Sequence, residues 1–383
     1  MRTALKNMGS IITGNTPSKG IVEYWDSPDI CFVKPDIIAD DGITVITETN
    51  EHISELARTK ARVVGKNTIF VTCIGSIGKI GIASSREYAF NQQINAIVPN
   101  ERVNPRYLAY AILYAKPRLT AIANAPVVPI INKTQFGDVE LEIENELGKQ
   151  TRIADLLDRI TGIIEARQRQ LRTLDTLIKA RFVEMFEQGD YPEIEFGEIC
   201  VFLRNGANIK QTKGAAGYPI TRIETLANDV FNIDRLGYAD IFELGKYESY
   251  LLKPGDILIS HINSIAYLGR AVQYRGQLDT PIIHGMNLLC ARIVEKFNPT
   301  YIEFFFKTPA AKDYISSITK KAVNQASITT TDLKKMMVPA PSLEKQNEFD
   351  SFVQQVDKSK VVVQKALDEA QLLFDSLMQK YFG

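Results

Sequence analysis

The chain has 383 residues, with 45 Lys and Arg against 45 Asp and Glu, so it carries no formal net charge at pH 7. Hydrophobic residues make up 45% and charged residues 23%, a balance that excludes a disordered chain, a collagen and a membrane-embedded bundle. The length allows two or three domains, and bulk charge gives no support for a nucleic-acid ligand, because only a basic face could do so.

The four cysteines are single and scattered. Cys31, Cys73, Cys200 and Cys290 lie in apolar or strand-like contexts, with no CxxC pair and no histidine at metal-ligand spacing. We therefore expect reduced thiols in a cytoplasmic protein. No segment reaches the roughly 20 consecutive apolar residues of a membrane span, and the N-terminus has no apolar signal-peptide core.

The second half of the sequence repeats the first. Six pairs of similar segments follow in the same order, at an offset of about 188 residues that drifts slowly. The longest pair is Val64–Ala83 over Leu252–Ala271, and the last is Leu174–Phe182 over Phe374–Phe382. Six collinear matches indicate a tandem duplication. A unit of about 190 residues is far longer than the roughly 20–50 residues of a solenoid repeat.

Each copy starts with a β-rich stretch that contains many turns. Alternating and β-branched runs predict strands in both copies. These runs are Val63–Val71, Ile80–Ala83, Ile94–Val98, Asp256–Ser260, Gly269–Tyr274 and Asn287–Ile293. A short helix is predicted after Asn104 and another after Asn298, because an asparagine cap followed by proline is a typical helix start.

A long helical stretch closes each copy. Apolar residues recur there at alternating steps of four and three, which is a heptad pattern. The predicted seam consists of Ile153, Leu157, Ile160, Ile164, Leu171, Leu174, Ile178, Val353, Val356, Val363, Leu367, Phe374 and Leu377. A helix of about 40 residues is roughly 60 Å long, too long for one small domain to bury, so we expect the two helices to pack as an antiparallel pair. The alternative is two independent amphipathic helices on separate domains.

These elements predict an α+β fold with a pseudo-twofold tandem repeat. Two β-rich domains are separated by two long antiparallel coiled-coil helices. The predicted parts are a first β-rich domain at residues 1–145, a first long helix at 146–187, a second β-rich domain at 188–341 and a second long helix at 342–383.

The candidate catalytic motifs have the wrong spacing. NPRY at Asn104–Tyr107 and NPTY at Asn298–Tyr301 lack the second proline of the amino-group methyltransferase motif, and helix N-caps explain them better. GSIGKIG at Gly75–Gly81 matches neither a P-loop nor a dinucleotide fingerprint and favours a tight β-hairpin. The sequence therefore predicts a protein without catalytic activity and without a metal or cofactor of its own.

The three histidines are too dispersed along the chain to suggest a metal site. They are His52, His261 and His284. The last two lie in polar hairpin contexts of the second copy, where two interpretations stay open. Each could contact a base or a phosphate, or be an exposed loop histidine without a ligand.

Polar and basic residues recur in the predicted turns and strand ends of both copies. Lys and Arg can neutralise phosphates or read guanine, and Asn and Gln can pair with adenine. The candidate DNA contacts are Lys19, Lys34, Arg62, Ser76, Lys79, Arg86, Gln92, Gln93, Lys133, Arg204, Lys210, Lys213, Arg222, His261, Asn263, Ser264, Arg270, Arg275, Lys320, Lys321, Asn324 and Gln325.

The order of these elements and several short segments resemble a known family. The order of β-rich domain, long helix, β-rich domain and long helix is similar to the specificity (S) subunit of type I restriction-modification systems over essentially the whole chain. The segments that carry the resemblance are GNTPSK (Gly14–Lys19), INKTQF (Ile131–Phe136), GDILIS (Gly255–Ser260) and VPAPSLEKQNEF (Val338–Phe349), together with NPRYLAY and NPTYIEF. The first junction departs from the pattern, since it lacks the prolines found at Pro339 and Pro341.

The resemblance implies a non-catalytic subunit that binds double-stranded DNA. Its two target-recognition domains would each read one half of a bipartite asymmetric sequence, with the helical pair setting the spacing. Two modification subunits, which carry S-adenosylmethionine and methylate adenine, would dock on this subunit, and restriction subunits would join them. The alternative is a coiled-coil scaffold whose two modules bind protein partners without DNA. A basic face across both modules would favour DNA, and a mixed or apolar patch would favour protein.

Overall fold

The computed structural model describes residues 1–123, 128–212, 216–321 and 325–383. The predicted DNA contacts Lys213 and Asn324 lie outside these residues. The chain forms two compact units. Unit 1 comprises Met1–Arg169 and Gln364–Gly383, and unit 2 comprises Gln170–Val363. Each unit therefore combines one β-rich domain with segments of both long helices.

The β-rich domain of unit 1 has short strands and three short helices among its described residues. The strands are β1 (Arg2–Ala4), β2 (Gly9–Thr13), β3 (Ile30–Val33), β4 (Ile43–Ile46), β5 (Glu51–Ile53), β6 (Val63–Val64), β7 (Ile69–Thr72), β8 (Ile80–Ala83), β9 (Tyr88–Phe90), β10 (Ile94–Pro99) and β11 (Glu140–Glu142). The helices are α1 (Pro105–Tyr114), α2 (Lys116–Ile122) and α3 (Lys133–Gly137).

Two sheets make up most of this domain. Their strand orders are β2-β10-β7-β8-β4 and β5-β3-β9-β6, and β1 pairs with β11. Strand β7 shows how the layers pack, because successive side chains point to opposite faces. Ile69 and Val71 belong to the apolar cluster that contains Tyr107 of α1, whereas Phe70 belongs to the cluster that contains Phe90 of β9. The larger sheet is therefore covered by helix on one face and by the smaller sheet on the other.

Unit 2 repeats this plan with different additions. Helix α4 (Leu147–Phe182) leads into it, followed by the strands β12 (Glu193–Glu195), β13 (Cys200–Asn205), β14 (Gln211–Thr212), β15 (Pro219–Ile220), β16 (Gly237–Ala239), β17 (Ile257–Ser260), β18 (Ile262–Asn263), β19 (Ala271–Gln273), β20 (Leu288–Ile293), β21 (Lys320–Lys321), β22 (Ala326–Ser327) and β23 (Met337–Pro339). Its helices are α5 (Pro299–Phe305), α6 (Pro309–Ser317), α7 (Thr330–Lys334) and the start of α8 (Leu343–Phe382). The main sheet has the order β13-β20-β17-β19, and smaller sheets have the orders β14-β16-β15 and β18-β22-β21.

Most strand predictions are confirmed within a few residues, and one is wrong. The predicted strand Val63–Val71 is divided into β6 and β7 by residues 65–68. Asn67 has a φ of 67° there, a left-handed conformation that asparagine tolerates better than most residues and that ends a strand. β7 and β8 pair antiparallel as predicted. The connection between them is a loop rather than a tight turn, and Gly75 and Gly78 lie in it at positive φ.

Both predicted helix starts after an Asn-Pro pair are confirmed. The side chain of Asn104 accepts a hydrogen bond from the N–H of Tyr107 at the start of α1. The side chain of Asn298 accepts one from the N–H of Thr300 at the start of α5. The NPRY and NPTY segments are thus helix caps, each with a proline in the first helical turn where its missing N–H costs nothing.

The two long helices pack together, as predicted. In unit 2, Arg181 of α4 forms an ion pair with Glu348 of α8 at 2.8 Å, and Asp175 forms one with Lys360 at 2.5 Å. Because the α8 partner number rises as the α4 number falls, the helices run antiparallel there. In unit 1, the end of α8 packs on the β-rich domain, where the ring of Phe382 lies 5.1 Å from that of Tyr107.

The predicted seam residues are buried to different degrees. Leu157, Ile160, Ile178, Val353, Val356 and Val363 are buried, and Ile153, Ile164, Leu171, Leu174, Leu367, Phe374 and Leu377 are partly buried. Many of these side chains contact the domain core of their own unit as well as helix. Leu157 and Phe374 join the cluster of Tyr107 in unit 1, and Ile178 and Val353 join the main cluster of unit 2.

A buried glutamine ties each long helix to the short helix of its domain. Gln150 accepts a hydrogen bond from the backbone N–H of Asn104 (2.8 Å) and donates one to the carbonyl of Glu144 (2.7 Å). Gln346 accepts one from the N–H of Asn298 (2.8 Å) and donates one to a carbonyl of the preceding loop (2.9 Å). The repeat therefore preserves the chemistry of this junction.

No helix among the described residues has both the length and the apolar character that crossing a bilayer requires.

Candidate nucleic-acid interface

In unit 2, the small sheet β18-β22-β21 brings together several predicted DNA contacts. Asn263 of β18 and Lys321 of β21 pair with the same residue, Ala326 of β22, from its two sides. Lys320 and Ser264 are exposed on the flanking strand and turn. Gln325 precedes β22 and is also exposed. Residues far apart in the sequence thus form one exposed polar group.

The loops after β7 and β17 are held in the same way. In unit 2, the N–H of Ile328 donates to the carbonyl of His261 (3.0 Å). In unit 1, the N–H of Ile131 donates to the carbonyl of Cys73 (2.8 Å), and Ile74 forms a β-bridge with Ile130. This shared backbone framework places exposed Ser76 near the segment that precedes α3.

A second group of predicted contacts in unit 1 lies next to that loop. The Thr16 hydroxyl donates to Gln92 Oε1 (2.7 Å), and Asn91 donates to Gln93 Oε1 (2.8 Å). The carbonyl of Gln93 accepts a hydrogen bond from the N–H of Cys73 (2.7 Å), which ties this group to the loop after β7. Arg62 donates to the carbonyl of a residue in β2 (2.7 Å).

Several predicted cations of unit 1 are ion-paired within the unit. Lys19 and Lys34 both contact Glu51 at 2.6 Å. Lys79 contacts Asp40 at 2.7 Å, and Arg86 contacts Glu48 at 2.8 Å. Each pair has at least one partner that is more than a third exposed. Surface pairs of this kind contribute only about 0–1 kcal/mol, so a phosphate could displace the carboxylate at little cost.

Two predicted cations of unit 2 are also paired. Arg270 contacts Asp229 at 2.7 Å and donates to a backbone carbonyl. Arg275 contacts Glu303 at 2.8 Å, and Lys307 contacts the same carboxylate at 3.0 Å. Only 4% of the Glu303 side chain is exposed, and a buried carboxylate needs such partners. Arg275 is therefore a structural cation.

Other predicted cations keep their charge available. Among the described residues, no ion pair involves Lys133, Lys210, Lys320 or Lys321, and all four are exposed. Arg222 is exposed at the start of a short helical turn. These side chains are the best placed of the predicted set to contact phosphates.

Of the two interpretations left open for His261 and His284, the one that makes them exposed loop residues is wrong. His284 is 2% exposed and His261 is 7% exposed. The backbone of His284 bonds to Tyr250 and Ala207, which holds the residue inside the domain. Neither ring nitrogen of His284 has a hydrogen-bond partner among the described residues. Burial, helped by the charge of Arg204, lowers the pKa of His284 to about 3.

Arg204 is held against the domain rather than free in a loop. Its guanidinium lies over the rings of Phe202 (4.6 Å) and Tyr250 (4.7 Å) and donates to the carbonyl of Ser249. Cation–π contacts and a backbone hydrogen bond fix this side chain in place. A DNA contact by Arg204 would use a preorganised group.

The structure also gathers three potential metal ligands in unit 1 that sequence spacing did not group. Cys31, Glu48 and His52 place their ligating atoms within 4.8 Å of one another. Hydrogen bonds, chiefly from His52, lower the pKa of Glu48 to about 2. Only knowledge of the strand pairing could have predicted this cluster, because Cys31 and His52 are directly opposite each other on β3 and β5.

A family model described as type I restriction modification DNA specificity domain matches the chain twice, at residues 2–174 and 188–370. The MjaX candidate specificity subunit of a type I restriction enzyme from Methanocaldococcus jannaschii is 38% identical over 192 residues, which cover 47% of this chain and 45% of that protein. The type I restriction enzyme EcoKI specificity subunit of Escherichia coli is 20% identical over 356 residues, which cover 85% and 76%.

Solved structures show the same fold. The S subunit of a type I restriction-modification system from M. genitalium aligns with a TM-score of 0.60 and 15% identity, over 100% of this chain and 96% of that one. A chain from a structure on complex assembly and conformational transition of the type I R-M system aligns with a TM-score of 0.59 and 16% identity, over 100% and 97%.

Proposed function

Because the chain belongs to the family of type I restriction-modification DNA specificity domains and carries two of them, we propose that each β-rich domain reads one half of a bipartite, asymmetric DNA target. The chain is a DNA specificity subunit, a non-catalytic component of such an enzyme. The two long helices would set the spacing between the half-sites and dock the modification subunits.

The observation that carries this proposal is the exposed basic group on the sheet β18-β22-β21. Lys320 and Lys321 have no ion-pair partner among the described residues, and Lys321 lies across strand β22 from Asn263. Lysines position a protein on the phosphates, and an asparagine amide can pair bidentately with adenine. This combination suits DNA better than an apolar protein partner.

The proposal of two different half-sites is supported by a backbone contact that both units share and by side chains that differ between them. The backbone contact that holds the loop after β7 recurs after β17. The side chains on that framework differ, with Ser76 and Lys133 in unit 1 against Asn263 and Lys321 in unit 2. A shared framework with different polar groups would give two readers of one kind with two specificities.

The proposed role of the helices in spacing rests on their length. Helix α4 has 36 residues and α8 has 40, so at 1.5 Å per residue they are about 54 Å and about 60 Å long. One turn of B-DNA is about 34 Å. Helices of this length exceed a single turn, as a gapped target would require.

The proposed docking of modification subunits rests on apolar side chains that α8 leaves exposed. Val361 and Val362 are each 69% exposed, Leu372 is 72% exposed and Leu373 is 51% exposed. Large apolar groups on a helix surface are typical of a face that a partner covers. We expect S-adenosylmethionine to bind in the modification subunit, and restriction subunits to complete the assembly.

The proposal is tested by co-expressing the chain with its modification subunit and sequencing the DNA for methyladenine. We expect a gapped, two-part methylated motif that depends on this chain, and a change in one half only when one β-rich domain is exchanged. Failure to methylate despite a stable, active complex would favour the protein scaffold instead.

A sharper test uses Lys320→Ala with Lys321→Ala. Loss of two phosphate contacts should weaken binding of the complex to its DNA and lower the slope of log affinity against log salt by about 2. Lys358→Ala with Lys365→Ala is the matched control, since both lysines are exposed on α8. An equal effect of both double variants would argue against a specific basic group on the small sheet.

A further inference from the structure

We propose that Cys31, Glu48 and His52 form a binding site for a zinc-type transition metal at the edge of the smaller sheet of unit 1. The Cys31 Sγ lies 3.3 Å from Glu48 Oε1, and His52 Nε2 lies 2.7 Å from the same oxygen. All three ligating atoms lie within 4.8 Å of one another. The site does not depend on the proposed DNA-reading function.

The fold assembles the three ligands through strand pairing. Cys31 of β3 and His52 of β5 are directly opposite in the antiparallel register, so their side chains project from the same face of the sheet. Glu48 lies in the short connection that precedes β5 and reaches over the pair. Strand pairing thus fixes two ligands, and the third comes from a connection that can adjust.

The donor set selects the class of metal. A thiolate, an imidazole and a carboxylate together suit Zn²⁺ or Co²⁺ better than Mg²⁺ or Ca²⁺, which prefer oxygen alone. Tetrahedral zinc bonds would separate sulfur from oxygen by about 3.6 Å and nitrogen from oxygen by about 3.4 Å. The two observed separations are therefore within about 1 Å of these values, and Glu48 can adjust because 55% of its side chain is exposed. The sulfur–nitrogen separation, within 4.8 Å here, would be about 3.6 Å.

Three protein ligands leave a fourth position for solvent. The Cys31 side is closed, since that residue is 2% exposed. The opposite side is open, because the side chains of His52 and Glu48 are 22% and 55% exposed. A metal could therefore enter from solvent and keep a water molecule as its fourth ligand.

One neighbouring charge opposes the metal. Arg86 Nη1 contacts Glu48 Oε2 at 2.8 Å, so the guanidinium and a metal would share one carboxylate through its two oxygens. A positive charge this close weakens cation binding. Removing it should therefore strengthen metal binding, an effect that a purely structural ion pair would not produce.

The experiment uses Co²⁺ as the probe on the full reduced chain after chelator treatment. We expect one equivalent to produce the near-ultraviolet band of a cobalt–thiolate bond and the visible bands of tetrahedral cobalt, with displacement by Zn²⁺. Cys31→Ser should abolish the thiolate band, and His52→Ala should weaken binding at least tenfold. Cys200→Ser, in the other unit, should leave the spectrum unchanged.

Two exposed variants guard against misfolding of the Cys31 variant. Glu48→Gln should weaken cobalt binding at least tenfold while the apo chain keeps a cooperative thermal unfolding transition that shows it is folded. Arg86→Ala should tighten binding several-fold. The proposal is overturned if the folded, reduced parent chain shows no thiolate band, or if the band persists in Cys31→Ser.

Discussion

Replacing Gln150 by leucine should destabilise unit 1 at the start of helix α4. The side chain is 1% exposed, and the substitution leaves the N–H of Asn104 and the carbonyl of Glu144 without their partner. A buried polar group that loses its hydrogen bond costs about 1–3 kcal/mol. Both residues are half-buried, so water can partly replace the amide and the lower value applies to each. The expected loss is about 2 kcal/mol in total.

The loss is measured by thermal and urea unfolding of the full chain, with amide hydrogen exchange to locate it. For a unit of this size, 2 kcal/mol corresponds to a fall in Tm of about 4–8 °C. Exchange should accelerate at the start of α1 and α4 and not in unit 2. Gln346→Leu should have the equivalent effect on unit 2, because its side chain makes the equivalent bonds.

The matched control is Gln168→Leu, an exposed glutamine on the same helix. A surface substitution of this kind should stay within about 0.5 kcal/mol. If Gln150→Leu were no more destabilising than Gln168→Leu, the glutamine bonds would not hold the helix on the domain. The reasoning about the repeated junction would then be refuted.

Three further predictions concern unit 2. Since the pKa of buried His284 is lowered to about 3, the folded state binds a proton more weakly than the unfolded state. The free energy of unfolding should therefore have its full value above about pH 6.5 and be lower by about 2 kcal/mol at pH 5. In urea denaturation, His284→Leu should remove this decrease between pH 7 and pH 5. An unchanged decrease would implicate another titrating group. Phe349→Ala removes a fully buried ring whose centroid lies 5.3 Å from that of Phe182. In the same assay it should lower the free energy of unfolding by about 3–5 kcal/mol. A decrease below about 1 kcal/mol would mean that the surrounding side chains collapse into the cavity. Asn298→Ala removes the cap of α5 and should cost about 1 kcal/mol, with faster amide exchange at Thr300, whereas unchanged exchange there would show that the cap is not needed.

The features that the sequence determines by itself are those whose causes are local. The duplication is a direct comparison of residues, and the two long helices follow from a spacing that one helix face imposes. The caps at Asn104 and Asn298 are equally local, because a side chain bonds to an N–H two or three residues ahead.

The state of each candidate DNA contact was decided by the tertiary structure. Lys19, Lys34 and Lys320 were predicted on the same grounds, as lysines in turns or at strand ends. In the structure Lys19 and Lys34 both contact Glu51, whereas Lys320 has no ion-pair partner among the described residues. Which carboxylate lies beside a lysine depends on strand pairing, and sequence spacing does not reveal that pairing.

Burial and side-chain clustering were likewise outside the reach of local pattern. A polar hairpin was predicted around His284, but its backbone bonds to Tyr250 and Ala207 place it inside the domain. Cys31 and His52 are 21 positions apart in the sequence and directly opposite across two strands. Helix periodicity and capping act over a few residues, whereas sheet neighbours are set by chain segments that meet only after folding. The sequence therefore determined the repeat and the helices, and the tertiary structure alone decided which polar groups share a surface, a salt bridge or a cluster of potential metal ligands.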